Sequence, residues 1–497
     1  MIFGAFLVDE DYTLPVAGMF AVAFCGAVYR VLWKGIFLEA VVLAGLLFGY
    51  IVGQSGFAHI HLGASIYFGE VGLIACFLIF GMRVAFTKER FIRRDPLSLA
   101  ICAFMLIGTL RFLVDFSKHW GDWDYEKTVV RDFATIYYAA FFFISANILK
   151  QERSRRFLEK VFPVAIVCLL PIIAAGLIYP EIFEKLSFSE ESALILPRSD
   201  LTGSFLGFGA IYFMLSREGR SHWFLRTATA FFCFAFMMAR NSRATFVGFG
   251  MGMLLLLVAR KPKIVRDLVL FGIIGALILV SAEAMGWRQD EEKMSATFED
   301  KILSIFDVGS RRDYETTTGS SSAGNNHYRT VWWTAVYNET MEINPLFGLG
   351  FGYDLAARFI RTYDYTLDPE DFKARSPHSI VFSIFGRMGL AGIASFAVVI
   401  FFIIREALRC ARAVWKKKAP AMDLAPWCGV VIIFVTSCFG VMLEGPMAAV
   451  VFWTLLGLAS YRQSLTTEAS RDSQPPKAFN PRAWAPARPP LAAAGTR

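Results

Sequence analysis

The residues of this chain best suited to chemistry are one histidine and a few arginines. His378 closes the stretch Arg375-Ser376-Pro377-His378, directly before an apolar run. Pro377 suits a helix start, because its missing N–H belongs to a turn whose amides are unbonded anyway. An imidazole with a pKa of about 6.5 is mostly neutral at pH 7 and can take a proton from a hydroxyl. A structural histidine at a membrane surface fits the same position. Arg240 and Arg243 share the tight turn Arg240-Asn241-Ser242-Arg243. Arg198 stands in Pro197-Arg198-Ser199-Asp200, and Arg329 opens a helical pattern. Guanidinium groups grip phosphate through paired, charge-assisted hydrogen bonds. Converging, these arginines make a site for a phosphate or pyrophosphate; pairing with acids such as Asp200 is the plainer use.

Other motifs promise less. Asp122-Trp123-Asp124 has the form of a metal–sugar motif. Solvated acids beside an interfacial aromatic anchor are the better reading of so short a signal. His59 and His61 alone make a poor metal site, and no His-Glu-x-x-His occurs. No metal and no cofactor are expected. Gly348-Leu349-Gly350-Phe351-Gly352 reads as a tight turn after Pro345. Glu39, Glu70, Arg83, Arg111, Glu283, Arg387 and Glu444 fall inside or beside apolar runs. Such charges need partners in a bilayer, either as buried pairs or as an ion or proton path.

The elements that must carry these residues follow from composition. The chain has 497 residues, 56% hydrophobic and 19% charged. Soluble proteins run at about 45–50% and about 25%, so this much apolar surface calls for lipid. A spanning helix uses about 20 apolar residues. Apolar runs occur at 14–33, 35–53, 63–86, 97–114, 129–149, 158–179, 201–215, 223–239, 244–259, 267–286, 379–404, 425–443 and 446–461. The fold class predicted is all-α, a polytopic bundle of about 12–13 spans. The net charge of +8 then reports topology, and nucleic acid is excluded as a partner. Alternate connections are rich in Lys and Arg, from Arg30/Lys34 to Arg405–Lys418, and belong in the cytoplasm. His378 and the arginines named above fall on the other face. Two cations in a tight turn on that face run against the charge rule, which suggests anion binding. The cysteines lie mostly within apolar runs, and the acidic start, Asp9-Glu10-Asp11, argues against a cleaved signal peptide.

Four regions result: N-terminal spans over 1–286, an outer loop over 287–378, C-terminal spans over 379–461, and a disordered Pro/Ala/Arg-rich cytoplasmic tail over 462–497. A loop this long is usually functional. Its middle, Thr316 to Asn326, reads as a flexible tip. Tyr328, Val331, Trp332, Ala335 and Val336 then recur at helical spacing. That pattern fits an amphipathic helix at the membrane–water boundary, or equally one packed on the ends of the spans.

In their order these motifs resemble the O-antigen ligase/polymerase superfamily. The likeness covers about residues 196–395 and rests on Arg198 to Phe205, Asn241-Ser242-Arg243-Ala244, Arg329, Asn344 to Gly352, Pro377-His378-Ser379 and Gly386 to Gly392. His378 is followed by Ser379 where that family often has Asn, and Leu206-Gly207-Phe208-Gly209 departs from its Asn-Pro-Asn-like stretch. The resemblance implies a metal-independent glycosyltransferase of the bacterial inner membrane, working on the periplasmic face. Its donor is a glycan on undecaprenyl pyrophosphate. Its acceptor is lipid A-core for a ligase, or another lipid-linked repeat for a polymerase of O-antigen or exopolysaccharide. Membrane lipids and other envelope polysaccharide-assembly proteins are the remaining partners. In that setting His378 is the base, and Arg243, Arg198 and Arg329 hold the pyrophosphate. Arg240 and Arg375 are further candidates. A polysaccharide or lipid transporter is the competing class, and a membrane scaffold a third.

Overall fold

The computed structural model describes residues 35–58, 68–87, 92–118, 120–179, 187–189, 192–193, 195–217, 222–240, 242–284, 300, 303, 307, 317–363 and 375–472. The predicted first span at 14–33, His59, His61 and most of the predicted tail lie outside them. Each remaining apolar run lies largely on helix among the described residues. In chain order these are α1 (Leu38–Val52), α2 (Ser55–Ala58), α3 (Phe68–Thr87), α4 (Pro96–Lys118), α5 (Trp123–Tyr137), α6 (Ala140–Ile148) and α7 (Glu152–Ile178). A two-stranded hairpin, Ser187–Ser189 with Ser192–Ala193, follows. Then come α8 (Ser199–Ser216), α9 (Trp223–Arg240), α10 (Arg243–Val258), α11 (Pro262–Ala284), α12 (Thr317–Ile343), α13 (Ala357–Tyr363), α14 (Ile380–Trp415), α15 (Leu424–Ser437) and α16 (Pro446–Asp472).

Among the described residues, four helices are long and apolar enough to cross a membrane: α4, α7, α14 and the Gly69–Phe86 part of α3. There are five if α5 and α6, bent by 44° at their junction, count as one span. α1 and α10 are apolar but shorter. That criterion stops short of the dozen expected from the sequence windows. Two further expectations change. The Ser/Gly/Asn-rich stretch read as a flexible tip is helical from Thr317, as the start of α12. α16 also continues to Asp472, past the expected boundary at 461.

Apolar side chains face two solvents. α8 is buried on nearly all sides, as a helix without a polar face should be when it sits centrally. Ile74, Leu78 and Met82 form an outward stripe on α3, more than half exposed, as a lipid-facing surface requires. Five of the charges proposed from sequence, Glu39, Arg83, Arg111, Arg387 and Glu444, find charged partners. Arg83 meets Glu39 at 3.0 Å, Arg111 meets Asp115 at 2.9 Å, and Arg387 lies between Asp132 and Glu444 at 3.1 and 3.8 Å.

One backbone joint positions the site. α14 breaks at Gly389, with φ 60° and ψ −153°. The Asn344–Gly352 turn fills that break. The Leu349 and Gly350 N–H groups donate to the Gly386 and Arg387 carbonyls at 2.7 and 3.2 Å. The Leu390 and Ala391 N–H groups donate to the Pro345 and Leu346 carbonyls at 2.9 and 3.0 Å. A helix interrupted in a dry interior must have its freed groups bonded again. The turn supplies those partners. Further along, the Phe351 N–H donates to Asp115 at 2.8 Å and the Gly352 N–H to Asp132 at 3.1 Å. The turn thus ties α4, α5 and α14 together.

Candidate active site

His378 is held from two sides. Trp333 Nε1 donates to the Pro377 carbonyl at 2.6 Å, and its ring stacks on Phe382 at 5.0 Å. Trp332, fully buried, lies 5.8 Å from the imidazole between ring centroids. Its Nε1 donates to the Leu355 carbonyl at 2.8 Å. The two tryptophans come from α12, whose face of Trp332, Ala335 and Val336 packs on Leu355, Phe359 and Ile360 as a separate small core. The apolar face predicted for this helix is real, and protein covers it. His378 itself has φ +53°, the left-handed region. That conformation costs an L-residue about 1–2 kcal/mol and persists only where the surroundings fix it.

The cations arrive on helix starts. Arg198 precedes α8 and pairs with Asp200 at 3.6 Å, while its N–H donates to Gln54 at 2.9 Å. Ser55 Oγ donates to the Leu196 carbonyl at 2.7 Å, sewing this entry onto the start of α2. Arg329, half-buried on α12, has an Nε with no hydrogen-bond partner among the described residues. Burial holds its pKa down, against the pull of Asp200. These groups reach His378 electrostatically. Burial first, then Arg329 and Arg198, lower its pKa to about 4, with Asp200 opposing. The imidazole is therefore neutral at pH 7.

Arg243 opens α10 after its cap Ser242, whose hydroxyl accepts the Thr245 N–H at 3.4 Å. Thr245 Oγ1 donates to the Asp200 carbonyl at 3.2 Å, docking this helix start on that of α8. Arg240 ends α9 and donates to the Pro197 carbonyl at 3.0 Å. The structure thus brings His378, Arg198 and Arg329 together around Asp200, with Arg240 and Arg243 on the elements beside them. Helix N-termini carry partial positive charge, so the starts of α8 and α10 add to the pull on an anion.

Arg375 turns elsewhere, donating to the Gly352 carbonyl at 2.7 Å. With His378 it lines a cavity of about 390 Å³ that also meets Arg131, Thr135, Arg387 and Glu444. Sequence reasoning missed Asp200 as more than an ion-pair partner, and it missed Arg131, Asp132 and Thr135 altogether. Asp132 was findable, since it is an acid inside the apolar run 129–149. The Asp122 motif resolves into a helix cap: its carboxylate accepts the Tyr125 N–H at 3.2 Å. Asp124 is 95% exposed beside Lys127.

No curated protein matches the chain. A family model described as O-antigen ligase matches residues 228–397, a stretch that holds Arg240, Arg243, Arg329, the Asn344–Gly352 turn, His378 and the break at Gly389. Over that stretch, about a third of the chain, the sequence is similar to the O-antigen ligase family.

Proposed function

We propose that this protein is a ligase-type glycan transferase of the bacterial inner membrane. It joins an undecaprenyl-pyrophosphate-linked glycan to lipid A-core on the periplasmic face. The observation that carries the reading is a half-buried His378, neutral at pH 7, beside Arg329 and Arg198. His378 takes the proton from the acceptor hydroxyl as that oxygen attacks the anomeric carbon of the donor. The bond from that carbon to pyrophosphate breaks, and the electron pair leaves with the phosphate. Arg198, Arg329 and Arg243 stabilise the charge as it develops. In the free protein burial, then Arg329 and Arg198, suppress the basicity of the imidazole. A bound pyrophosphate offsets their charge and raises the pKa towards its ordinary value, so the base strengthens when the donor is in place. The pairing of Glu39 with Arg83 and of Glu444 with Arg387 favours this reading over a transporter with a charge relay.

The test is transfer in nanodiscs from lipid-linked glycan to lipid A-core, read on gels. Arg329→Ala should raise the donor KM about tenfold or more, the loss of one charge-assisted hydrogen bond of about 1.5–3 kcal/mol. Arg329→Lys should recover little, because a point charge lacks the guanidinium fork. An unchanged donor KM sinks the assignment of Arg329. Transfer should also persist in excess EDTA, and strict dependence on a divalent ion would return attention to Asp122 and Asp124. In a deletion strain, a bare core with lipid-linked polymer accumulating supports the ligase. Short repeats on a capped core would make the protein a polymerase.

A further inference from the structure

His378 stands between two unlike environments. On one side Arg198 and Arg329 outnumber Asp200, and an anion is favoured. On the other lies the cavity of about 390 Å³, near the small end of ligand pockets at about 300–1,000 Å³. Its wall carries Arg131, Arg375 and Arg387 against Glu70, Asp132 and Glu444, so its formal charges balance. Such a wall gives no net attraction to a phosphate. It does offer both hydrogen-bond donors and acceptors, as a polyol requires. Buried polar atoms normally find partners, yet Thr135 Oγ1, Arg375 Nε and Arg387 Nε have none among the described residues. Thr135 is only 6% exposed, and its hydroxyl is deep in the wall.

We propose that this cavity binds an uncharged sugar residue of a glycan being joined, held by Thr135, Arg131 and Arg375 through its hydroxyls. The inference rests on the transferase reading and extends it to the sugar beside the reacting position. Polyol recognition satisfies the orphan donors without disturbing the Arg387–Asp132 pair, which the Asn344–Gly352 turn already holds. The sugar can come from donor or acceptor, since both must bring a pyranose to His378.

The experiment uses the full chain in nanodiscs and two radiolabelled probes in equilibrium dialysis. One is the oligosaccharide released by mild acid from the lipid-linked donor; the other is the core oligosaccharide freed from its lipid. At least one should bind, and which one names the source. Thr135→Val, nearly isosteric, should weaken that binding about fivefold, and Arg131→Gln by a similar factor, for about 1 kcal/mol each. Thr135→Ser, which keeps the hydroxyl, should bind as the wild type does. Binding of neither probe overturns the proposal, as does binding indifferent to both Thr135→Val and Arg131→Gln. Inorganic pyrophosphate binding that falls with Thr135→Val would also overturn it, by making the cavity an anion site. A transfer assay on the same wild-type preparation separates the two claims. Saccharide binding without glycosidic bond formation removes the transferase reading and leaves the pocket standing.

Discussion

His378→Ala should abolish glycan transfer while the protein still inserts and folds. A positioned base contributes about 10²–10⁴-fold to a rate, and alanine leaves no group in its place to accept the proton. The left-handed φ of +53° is as awkward for alanine as for any L-residue, so the substitution leaves that backbone cost in place. Stability should therefore change little compared with activity. The pH profile gives a second, independent signature. The acid limb of kcat/KM for the donor reports the free protein and should fall near pH 4, where burial, Arg329 and Arg198 place the imidazole. The limb of kcat reports the donor-bound state and should lie higher, since pyrophosphate cancels the arginine charges. Arg329→Ala should move the free-protein limb upward, towards 6.5. The sign for stability runs the same way. His378 binds fewer protons folded than unfolded between pH 6.5 and about 4, so folding stability falls as pH drops through that window. His378→Ala should flatten that part of the slope. A variant that transfers glycan at the wild-type rate would remove His378 from the mechanism.

Gly389→Ala should cost nearly everything, although residue 389 touches no substrate. Its φ of 60° and ψ of −153° lie where essentially only glycine settles, at about 1–3 kcal/mol for another residue. The added Cβ would also come within 2.5 Å of the Gly348 N and 2.6 Å of the Pro345 carbonyl oxygen. Those neighbours are backbone and cannot swing aside. Overpacking of this kind adds about 1–3 kcal/mol. Gly348→Ala fails reciprocally, with its Cβ 2.5 Å from the Gly389 N and φ at +73°. Either change should lower the unfolding temperature in detergent by many degrees and remove transfer with it. Gly250→Ala in α10 is the control. Nothing lies within 4 Å of the new methyl, and alanine favours helix over glycine by about 1 kcal/mol. It should be neutral or mildly stabilising. A Gly389→Ala protein as stable as the Gly250→Ala control would refute the joint.

Much of this was legible from local pattern. Hydropathy located the helices because apolar length is a property of a segment. His378 and Arg198 stood out because Pro377 and the Pro197-Arg198-Ser199-Asp200 step mark helix entrances, where a side chain is held on a rigid element. What stayed hidden depends on distant contacts. Nothing near Asp132 says that it meets Arg387 across α5 and α14, or that its other oxygen holds the Gly352 N–H. Asp200 looked like a partner for Arg198 alone, yet it also faces Arg329 and His378. The Ser/Gly/Asn stretch at the start of α12 misled for the opposite reason. Its residues are weak helix formers, and the helix that follows is fixed by tertiary packing of Trp332 and Val336 rather than by propensity.

The joint between the Asn344–Gly352 turn and α14 bears on how the molecule is made. The turn leaves the ribosome before the helix whose gap it fills. Until that helix arrives, the carbonyls and amides of 345–350 must stay in water. The helix, in turn, reaches the lipid with an interrupted ladder at 386–391, and each group left unbonded there costs several kcal/mol. Neither piece is a finished product of its own synthesis. Biogenesis should therefore stall with α14 loosely seated until the turn docks, and folding of the Asn344–Gly352 turn becomes the last step of membrane integration rather than an event after it.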